Sequence, residues 1–133
     1  MKLIPTEQAS VEKVNVFLEK NQDINRELLF QIGYVAEVND RISGCFMLDT
    51  MEEGVYWLKQ LYITPDAATS LPALLESVLA LAKQKHAKQV YVHSHQPMVD
   101  VLLEALQFHP QRSNNIVDNY PRNRGSWWMY NVS

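Results

Sequence analysis

Residues 55–108, VYWLKQLYITPDAATSLPALLESVLALAKQKHAKQVYVHSHQPMVDVLLEALQF, decide the fold of this chain. The segment begins with Val55–Ile63, which is rich in β-branched and aromatic side chains and apolar on both alternating faces apart from Lys59 and Gln60. This pattern is typical of a central strand that is covered on both sides. The triplet Thr64-Pro65-Asp66 predicts the end of the strand.

A helix, a second strand and a second helix follow. Thr69 or Ser70 is the predicted N-cap of the first helix, and Pro72 is tolerated only in its first turn. Residues 89–95 predict the second strand, and Pro97 begins the second helix. Two strands joined by a helix of this length are expected to be parallel, with a right-handed crossover. The apolar stripe of the first helix consists of Leu71, Leu74, Leu75, Val78, Leu79 and Ala82.

The flanking segments complete a mixed α/β fold with helices on both faces of one sheet, in the order β-α-α-β-β-β-α-β-α-β-β. No linker interrupts this order, so we expect one domain, residues 1–133. Asn39-Asp40 predicts the turn of a hairpin. The other predicted strands are 2–4, 34–38, 41–48, 116–120 and 126–132. Two further helices are predicted, one from Thr6 or Ser10 to Lys20 and one over 24–32. Residues 109–115 and 121–125 are predicted to be irregular. The inward side chains of the first helix are predicted to be Val11, Val14, Phe17 and Leu18.

Composition limits the possible partners and locations of the protein. The chain has 133 residues and a net charge of −3, without a run of Lys or Arg, so nucleic acid is not an expected partner. Its apolar runs are too short to span a bilayer, and its N-terminus lacks the apolar core of a signal peptide. We therefore expect a soluble cytoplasmic protein with no membrane partner. Cys45 is the only cysteine, so no internal disulfide is possible, and a buried, inert thiol is expected.

Three short motifs give the chain a family resemblance. Leu61-Tyr62-Ile63-Thr64-Pro65, Leu74-Leu75-Glu76 and Leu106-Gln107-Phe108, taken with the order of elements, resemble the GNAT N-acetyltransferase family. The resemblance is carried by about residues 30–110 and elsewhere by element order alone. It implies a central, mostly antiparallel sheet.

The resemblance also implies an activity, the transfer of an acetyl group from acetyl-coenzyme A to a small-molecule or peptide amine. The pantetheine arm would pair with the backbone of Leu61, Tyr62 and Ile63. The pyrophosphate would lie on amides at the start of the following helix, where the helix dipole favours an anion. Besides the strand residues that pair with pantetheine, the resemblance implies that Thr69, Ser70, Ala73 and Gln96 contact the cofactor.

The sequence departs from the family pattern at several functional positions. Residues 66–73, DAATSLPA, contain neither the glycines nor the Arg or Gln of the family's phosphate loop; Pro72 lacks an N–H donor, and Asp66 adds a negative charge. We therefore expect affinity for coenzyme A to lie mainly in its pantetheine arm. The Tyr that serves as general acid in the family is replaced here by Leu103. Gln60 lies where many relatives have a Glu that serves as the base. These departures leave two hypotheses open, an N-acetyltransferase and an inactive descendant that serves as a binding module with a cleft filled by side chains such as Tyr62, Tyr91 or Trp128.

The candidate catalytic residues are Tyr62, His93 and His95. The Tyr62 hydroxyl is a proton donor that would replace the missing acid, although a core tyrosine is the alternative. His93 and His95 are predicted to share one face of the strand and to act as base or acid near neutral pH. A third hypothesis is a metal-dependent hydrolase in which His93 and His95 hold a metal with a third ligand such as His109. No motif supplies that ligand, so we expect no metal.

Two further stretches suggest an acceptor site. Trp127 and Trp128 alternate in the last strand, so one is expected in the core and the other on the acceptor cleft or on a homodimer surface. The loop 119–125 carries Arg122 and Arg124, which would close over an anionic acceptor; a solvated loop is the alternative.

Overall fold

The computed structural model describes residues 1–114, 116–120 and 125–132, and its elements follow the predicted order. The strands are β1 (Lys2–Pro5), β2 (Gly33–Val38), β3 (Arg41–Glu52), β4 (Val55–Ile63), β5 (Gln89–Ser94), β6 (His109–Gln111) and β7 (Ser126–Asn131), and the helices are α1 (Val11–Lys20), α2 (Arg26–Ile32), α3 (Leu71–Gln84) and α4 (Pro97–Ala105).

The strands form one mixed sheet in the order β1-β2-β3-β4-β5-β7-β6. The β2–β3 hairpin turns at Asn39 and Asp40, whose φ angles of 51° and 66° suit a tight two-residue turn. β4 and β5 are parallel, as predicted, whereas β7 runs antiparallel to both β5 and β6. The predicted fold class, a mixed and mostly antiparallel sheet with helices, is therefore confirmed.

The sixth strand does not lie where the sequence predicted it. Residues 116–120 contain a 3₁₀ turn, Val117–Asn119, because the side-chain oxygen of Asn114 accepts the backbone N–H groups of Ile116 (2.8 Å) and Val117 (2.7 Å). The strand is instead β6, inside the stretch predicted to be irregular, and it pairs with β7. Within the loop predicted at 121–125, residues 121–124 lie outside the described part of the chain, and so do Arg122 and Arg124.

The chain divides into two compact units, Met1–Leu48 with Lys59–Ser77 and Asp49–Leu58 with Val78–Ser133. In the first unit, the side chain of Ser10 caps α1 by accepting the Lys13 N–H at 3.4 Å, one of the two predicted caps. Val11 was wrongly predicted to face inward: it begins the helix one turn before the first buried residue and is 59% exposed. The buried cluster of this unit consists of Val14, Phe17, Leu18, Leu29, Val35, Ile42, Cys45 and Met47.

The helical segment after β4 begins earlier than predicted. A 3₁₀ turn, Pro65–Ser70, continues directly into α3, so Thr64 precedes the first helical residue and Thr69 and Ser70 lie inside the turn rather than capping the helix. Pro65 explains the early start, because its fixed φ suits a first helical position. Pro72 is the second residue of α3 and is exposed. The fully buried side chains of α3 are Leu74, Leu75, Val78 and Ala82, all members of the predicted stripe.

In the second unit, a residue in the left-handed conformation follows the end of α4. Gln107 adopts the left-handed conformation, with φ 71°, and the Phe108 N–H donates to the Leu103 carbonyl oxygen at 2.9 Å. This is the hydrogen-bond pattern of a left-handed helix termination. Leu103 and Phe108 are both buried. None of the helices within the described ranges is long and apolar enough to cross a bilayer.

We expect Leu75→Ala to lower the free energy of unfolding by about 2–5 kcal/mol, because Leu75 is fully buried and truncation leaves a cavity. Urea unfolding of the purified variant measures the change. Glu76→Ala, an exposed neighbour on the same helix, is the matched control and should change the value by less than about 0.5 kcal/mol. A loss below about 0.5 kcal/mol for Leu75→Ala would contradict this packing of α3.

Candidate functional site

The central strand β4 is irregular at Gln60. Its φ is 47°, a conformation that is uncommon for residues other than glycine, asparagine and aspartate. The Gln60 side-chain oxygen accepts the backbone N–H of Asn25 at 3.1 Å, and its carbonyl oxygen lies 3.7 Å from the Cys45 sulfur. The connection between α1 and α2 is therefore tied to the irregular residue of β4. Such irregularities in strands are frequent beside functional sites.

The backbone that follows Gln60 holds the predicted pantetheine contacts. Leu61, Tyr62 and Ile63 are all partly exposed, whereas Leu58, before the irregularity, is 3% exposed. Tyr56, Trp57 and Lys59, before the irregularity, are partly exposed as well, so the last three residues of β4 differ from its beginning only in that none of them is buried.

Tyr62 lies against helix α1 and beside an open cavity. Its ring and that of Phe17 are 6.1 Å apart between centroids, at an angle of 48°. Tyr62 and residues 19–24 of the α1–α2 connection line a cavity of about 430 Å³. Tyr62 is thus neither a fully buried core residue nor a free surface residue, and its role as an acid stays a prediction.

The start of the helical segment carries the predicted phosphate contacts. Thr69 and Ala73 are exposed, Ser70 is partly exposed, and the Ala73 carbonyl oxygen accepts the Ser77 hydroxyl at 2.9 Å. The Ala67 N–H is used within the turn, since it donates to the Thr64 carbonyl oxygen at 3.0 Å. Their contact with a cofactor remains a prediction.

Asp66 at this helical start is paired with a residue that the sequence reasoning did not single out. An Arg41 guanidinium nitrogen of β3 lies 2.9 Å from an Asp66 carboxylate oxygen. The main cause that lowers the pKa of Asp66 is the nearby Thr64 hydroxyl, although its geometry is not that of an ordinary hydrogen bond. The backbone N–H of Asp66 and the Arg41 guanidinium lower this pKa further. Arg41 and Asp66 are 25 residues apart, and no local pattern in the sequence indicates that they meet.

His93 and His95 lie in the second unit, and they differ in their surroundings. His93 is partly buried opposite Trp127 of β7, with 5.1 Å between ring centroids, and its Nε2 atom is buried with no hydrogen-bond partner among the described residues. Burial, and to a smaller extent His95, lower the pKa of His93. The prediction that both belong to the strand was wrong, because β5 ends at Ser94 and His95 follows it as an exposed residue.

Gln96 is exposed and precedes α4 as its N-cap residue, but its side chain makes no capping hydrogen bond. Its backbone N–H lies 3.3 Å from the Ser94 hydroxyl oxygen. Gly125 approaches the same turn with φ 85°, and a Cβ at this position would collide with the Ser94 carbonyl group. Only glycine fits this contact without movement of the backbone.

An aromatic cluster surrounds His93 on its side of β5. The ring centroids of Trp57 and Trp127 are 5.1 Å apart, and those of Trp57 and Tyr120 are 5.2 Å apart. Trp127 and Trp128 are 3% and 7% exposed, so the prediction that one of them lines an open cleft or a dimer surface was wrong. Both are buried because β7 lies between β5 and β6 and is covered on both faces.

Two further residues considered in the sequence, Tyr91 and Leu103, are buried. Tyr91 is buried, its hydroxyl accepts the Asn114 amide at 3.1 Å, and burial raises its pKa. Leu103, at the position of the family's acid, is fully buried. Across 1–114, 116–120 and 125–132, His, Cys, Asp and Glu side chains form no group of three suited to a metal.

The chain is similar in structure to known proteins to which its sequence shows little similarity. No protein-family model matches the sequence, and no curated protein matches it. A GNAT-family acetyltransferase from Staphylococcus aureus superposes with a TM-score of 0.71 at 13% identity, over 99% of both chains. A Bacillus subtilis acetyltransferase in complex with coenzyme A gives 0.72 at 13% identity, over 99% of both chains. A GNAT-family acetyltransferase from Elizabethkingia anophelis with acetyl-CoA bound gives 0.69 at 19% identity, over 98% of this chain and 97% of that one. The chain therefore has the GNAT fold, as its motifs indicated.

Cys45 should resist alkylation in the folded protein. Its side chain is fully buried, and burial raises the pKa of the thiol to about 12. Because the thiolate is the reactive form, we expect no measurable reaction with iodoacetamide at pH 8 in native buffer and complete reaction in denaturant. Mass spectrometry counts the label. Rapid labelling of the native protein would show that Cys45 is not buried in the cluster that it forms with residues of α1 and α2.

Proposed function

We propose that this protein is an acetyl-CoA-dependent N-acetyltransferase acting on a small-molecule or peptide amine. The observation that carries the proposal is the central strand β4, irregular at Gln60 and partly exposed at Leu61, Tyr62 and Ile63. Solved structures with the same fold hold coenzyme A or acetyl-CoA. Their identity to this chain is low, so they support the activity only as a proposal.

The cofactor would bind to backbone more than to side chains. The pantetheine arm would add to β4 like a short strand, pairing with Leu61, Tyr62 and Ile63, a contact that is independent of side-chain identity. Thr69, Ser70 and Ala73, which follow the start of the helical segment at Pro65 and are exposed or partly exposed, would receive the phosphates. Gln96 is exposed and free of a capping bond, so its amide would be available for a further hydrogen bond. Acetyl-CoA supplies the activated acetyl thioester.

Two side chains of this protein would move protons. His93 has a lowered pKa, so it is neutral at pH 7, and it would accept a proton from the acceptor ammonium once that group reaches the Nε2 atom, which is buried in the structure. The deprotonated amine would then attack the acetyl carbonyl carbon, and formation of the amide bond would displace the thiolate of coenzyme A and release a second nitrogen-bound proton to water. The Tyr62 hydroxyl would donate a proton to that thiolate. Tyr62 and His93 belong to different compact units, so each role is assigned and tested separately.

The alternative is a binding module that has kept the fold and lost the activity. Leu103, buried at the position of the family's acid, and the loop without glycine favour it. The two functions differ in a single measurable way, because a binding module releases no free coenzyme A from acetyl-CoA in the presence of any amine. A homodimer is compatible with either function, and light scattering would reveal it.

Acetyl-CoA should bind at millimolar concentration or below, and amines should be acetylated. Calorimetry measures binding, and a thiol-reactive dye measures release of coenzyme A with a panel of amines and peptides. Tyr62→Phe should lower kcat with little change in KM, since the lost hydroxyl acts on the leaving thiolate. Tyr34→Phe is the matched control: Tyr34 lies in the same unit and its ring stacks on Phe46, a contact that phenylalanine preserves. Absence of acetyl-CoA binding would refute the proposed function, and binding without turnover would favour the binding module.

The pH dependence tests His93. If neutral His93 is the base, activity is lost as pH falls through its pKa, which lies below the ordinary value of about 6.5. His95→Gln should move the acid limb of kcat/KM to higher pH, because it removes one cause of the lowered pKa, while burial keeps the limb below about 6.5. His93→Gln should abolish the limb along with most of the activity. His109→Gln, an exposed histidine of β6, is the control; an unchanged acid limb in His95→Gln would contradict the assignment.

A further inference from the structure

The phosphate loop of this chain lacks a cation of its own, but a neighbouring strand brings one to the same place. Arg41 is the first residue of β3, and it follows the tight turn at Asn39 and Asp40. That turn directs Arg41 to the end of β4, where its guanidinium meets the Asp66 carboxylate at 2.9 Å. The Thr64 N–H fixes the two strands beside one another, donating to the Ser43 carbonyl oxygen at 2.8 Å.

The Asp66 carboxylate lies where an anionic ligand would be bound. Asp66 is the second residue of the helical segment that begins at Pro65, close to the amides of the first turn. Its lowered pKa, caused first by the Thr64 hydroxyl and also by its own backbone N–H and Arg41, keeps it charged. This side chain therefore engages the Arg41 guanidinium, a donor that a bound phosphate would use.

Arg41 and Asp66 also line a cavity of about 520 Å³, within the usual size range of small-molecule sites. Its lining includes the apolar side chains of Phe17 and Ile42 and the cation Lys13. The Lys13 ammonium is engaged by Asp40 at 2.8 Å and by Glu37 at 3.7 Å, contacts that leave it committed to the hairpin. The Arg41–Asp66 pair is different, because its side chains are 71% and 60% exposed.

We propose that Arg41 is a phosphate-binding residue for coenzyme A and that Asp66 is its internal competitor, holding the guanidinium until the phosphate displaces the carboxylate. This inference rests on the proposed function. An exposed ion pair contributes little to folding, so its exchange is not opposed by the fold. A guanidinium binds phosphate through two parallel hydrogen bonds, which gives the more highly charged phosphate the advantage over one carboxylate.

Calorimetry with coenzyme A and with pantetheine, which has no pyrophosphate, tests the role of Arg41. Arg41→Gln should weaken binding of coenzyme A by roughly threefold to tenfold at low salt and leave pantetheine unchanged. The loss should shrink as salt is added, because the side chain is exposed. Arg26→Gln is the matched control, since Arg26 is an exposed arginine of the same unit whose guanidinium lies over the Phe30 ring. Thermal unfolding confirms that each variant is folded.

The competitor role is tested by Asp66→Asn alone and together with Arg41→Gln. If Asp66 competes for Arg41, the single change should tighten coenzyme A binding by roughly twofold to fivefold, and the gain should be smaller when Arg41 is absent. If Asp66 merely repels phosphate, the gain should be equal or larger without Arg41, because the carboxylate would then be unneutralised.

The outcomes separate the two proposals. If the unmodified protein binds neither ligand, the proposed function is refuted and this inference with it. If it binds coenzyme A but Arg41→Gln behaves like Arg26→Gln, only the role of Arg41 is overturned. If Arg41→Gln weakens coenzyme A selectively but the gain from Asp66→Asn persists in the double variant, Arg41 is a phosphate ligand and the competitor role of Asp66 is overturned.

Discussion

The parallel pairing of β4 with β5 is the constraint on which the rest of the structure depends. Parallel neighbours cannot be joined by a tight turn, so the chain must cross from the end of one strand to the start of the next. Here α3 makes that crossing, and four of the six residues of its predicted apolar stripe are fully buried. One residue, Thr64, separates β4 from the helical segment. Pro65 and Asp66 are therefore the first two residues of that segment.

Regular pairing and the candidate site make opposite demands on β4. A strand in the middle of a sheet is most stable when it is straight and covered, yet Gln60 adopts a left-handed conformation and the next residues are partly exposed. The hydrogen bond from Asn25 to the Gln60 side chain helps to hold this conformation. Local irregularity that is maintained by contacts from another element is typical of functional positions. The interpretation of β4 as a binding strand therefore rests on backbone shape as well as on the motif.

The sequence predicts the order of elements, the parallel crossover and most of the buried stripe because these depend on periodic apolar positions. It fails where one side chain overrides local propensity: Asn114 takes the amides of Ile116 and Val117 and turns a β-branched stretch into a 3₁₀ turn. Proline likewise moves the helical start forward to Pro65. The Arg41–Asp66 pair is beyond such patterns, because it depends on the register of β3 against β4 and on the geometry of a turn far away in sequence.

Loss of glycine from a phosphate loop does not by itself remove the means of binding phosphate. Glycine permits close approach of the backbone, whereas charge is supplied by any side chain that the fold brings near. In this chain the approach is hindered by Pro72 and Asp66, but the fold brings Arg41 to the same helical start. The carboxylate that repels an anion also holds the guanidinium that would bind it. Because both side chains are exposed, their attraction is screened by solvent and the pair is able to open without disturbing the core. If the chain binds coenzyme A as proposed, phosphate affinity at this site would be set by a balance between two side chains rather than by the loop backbone.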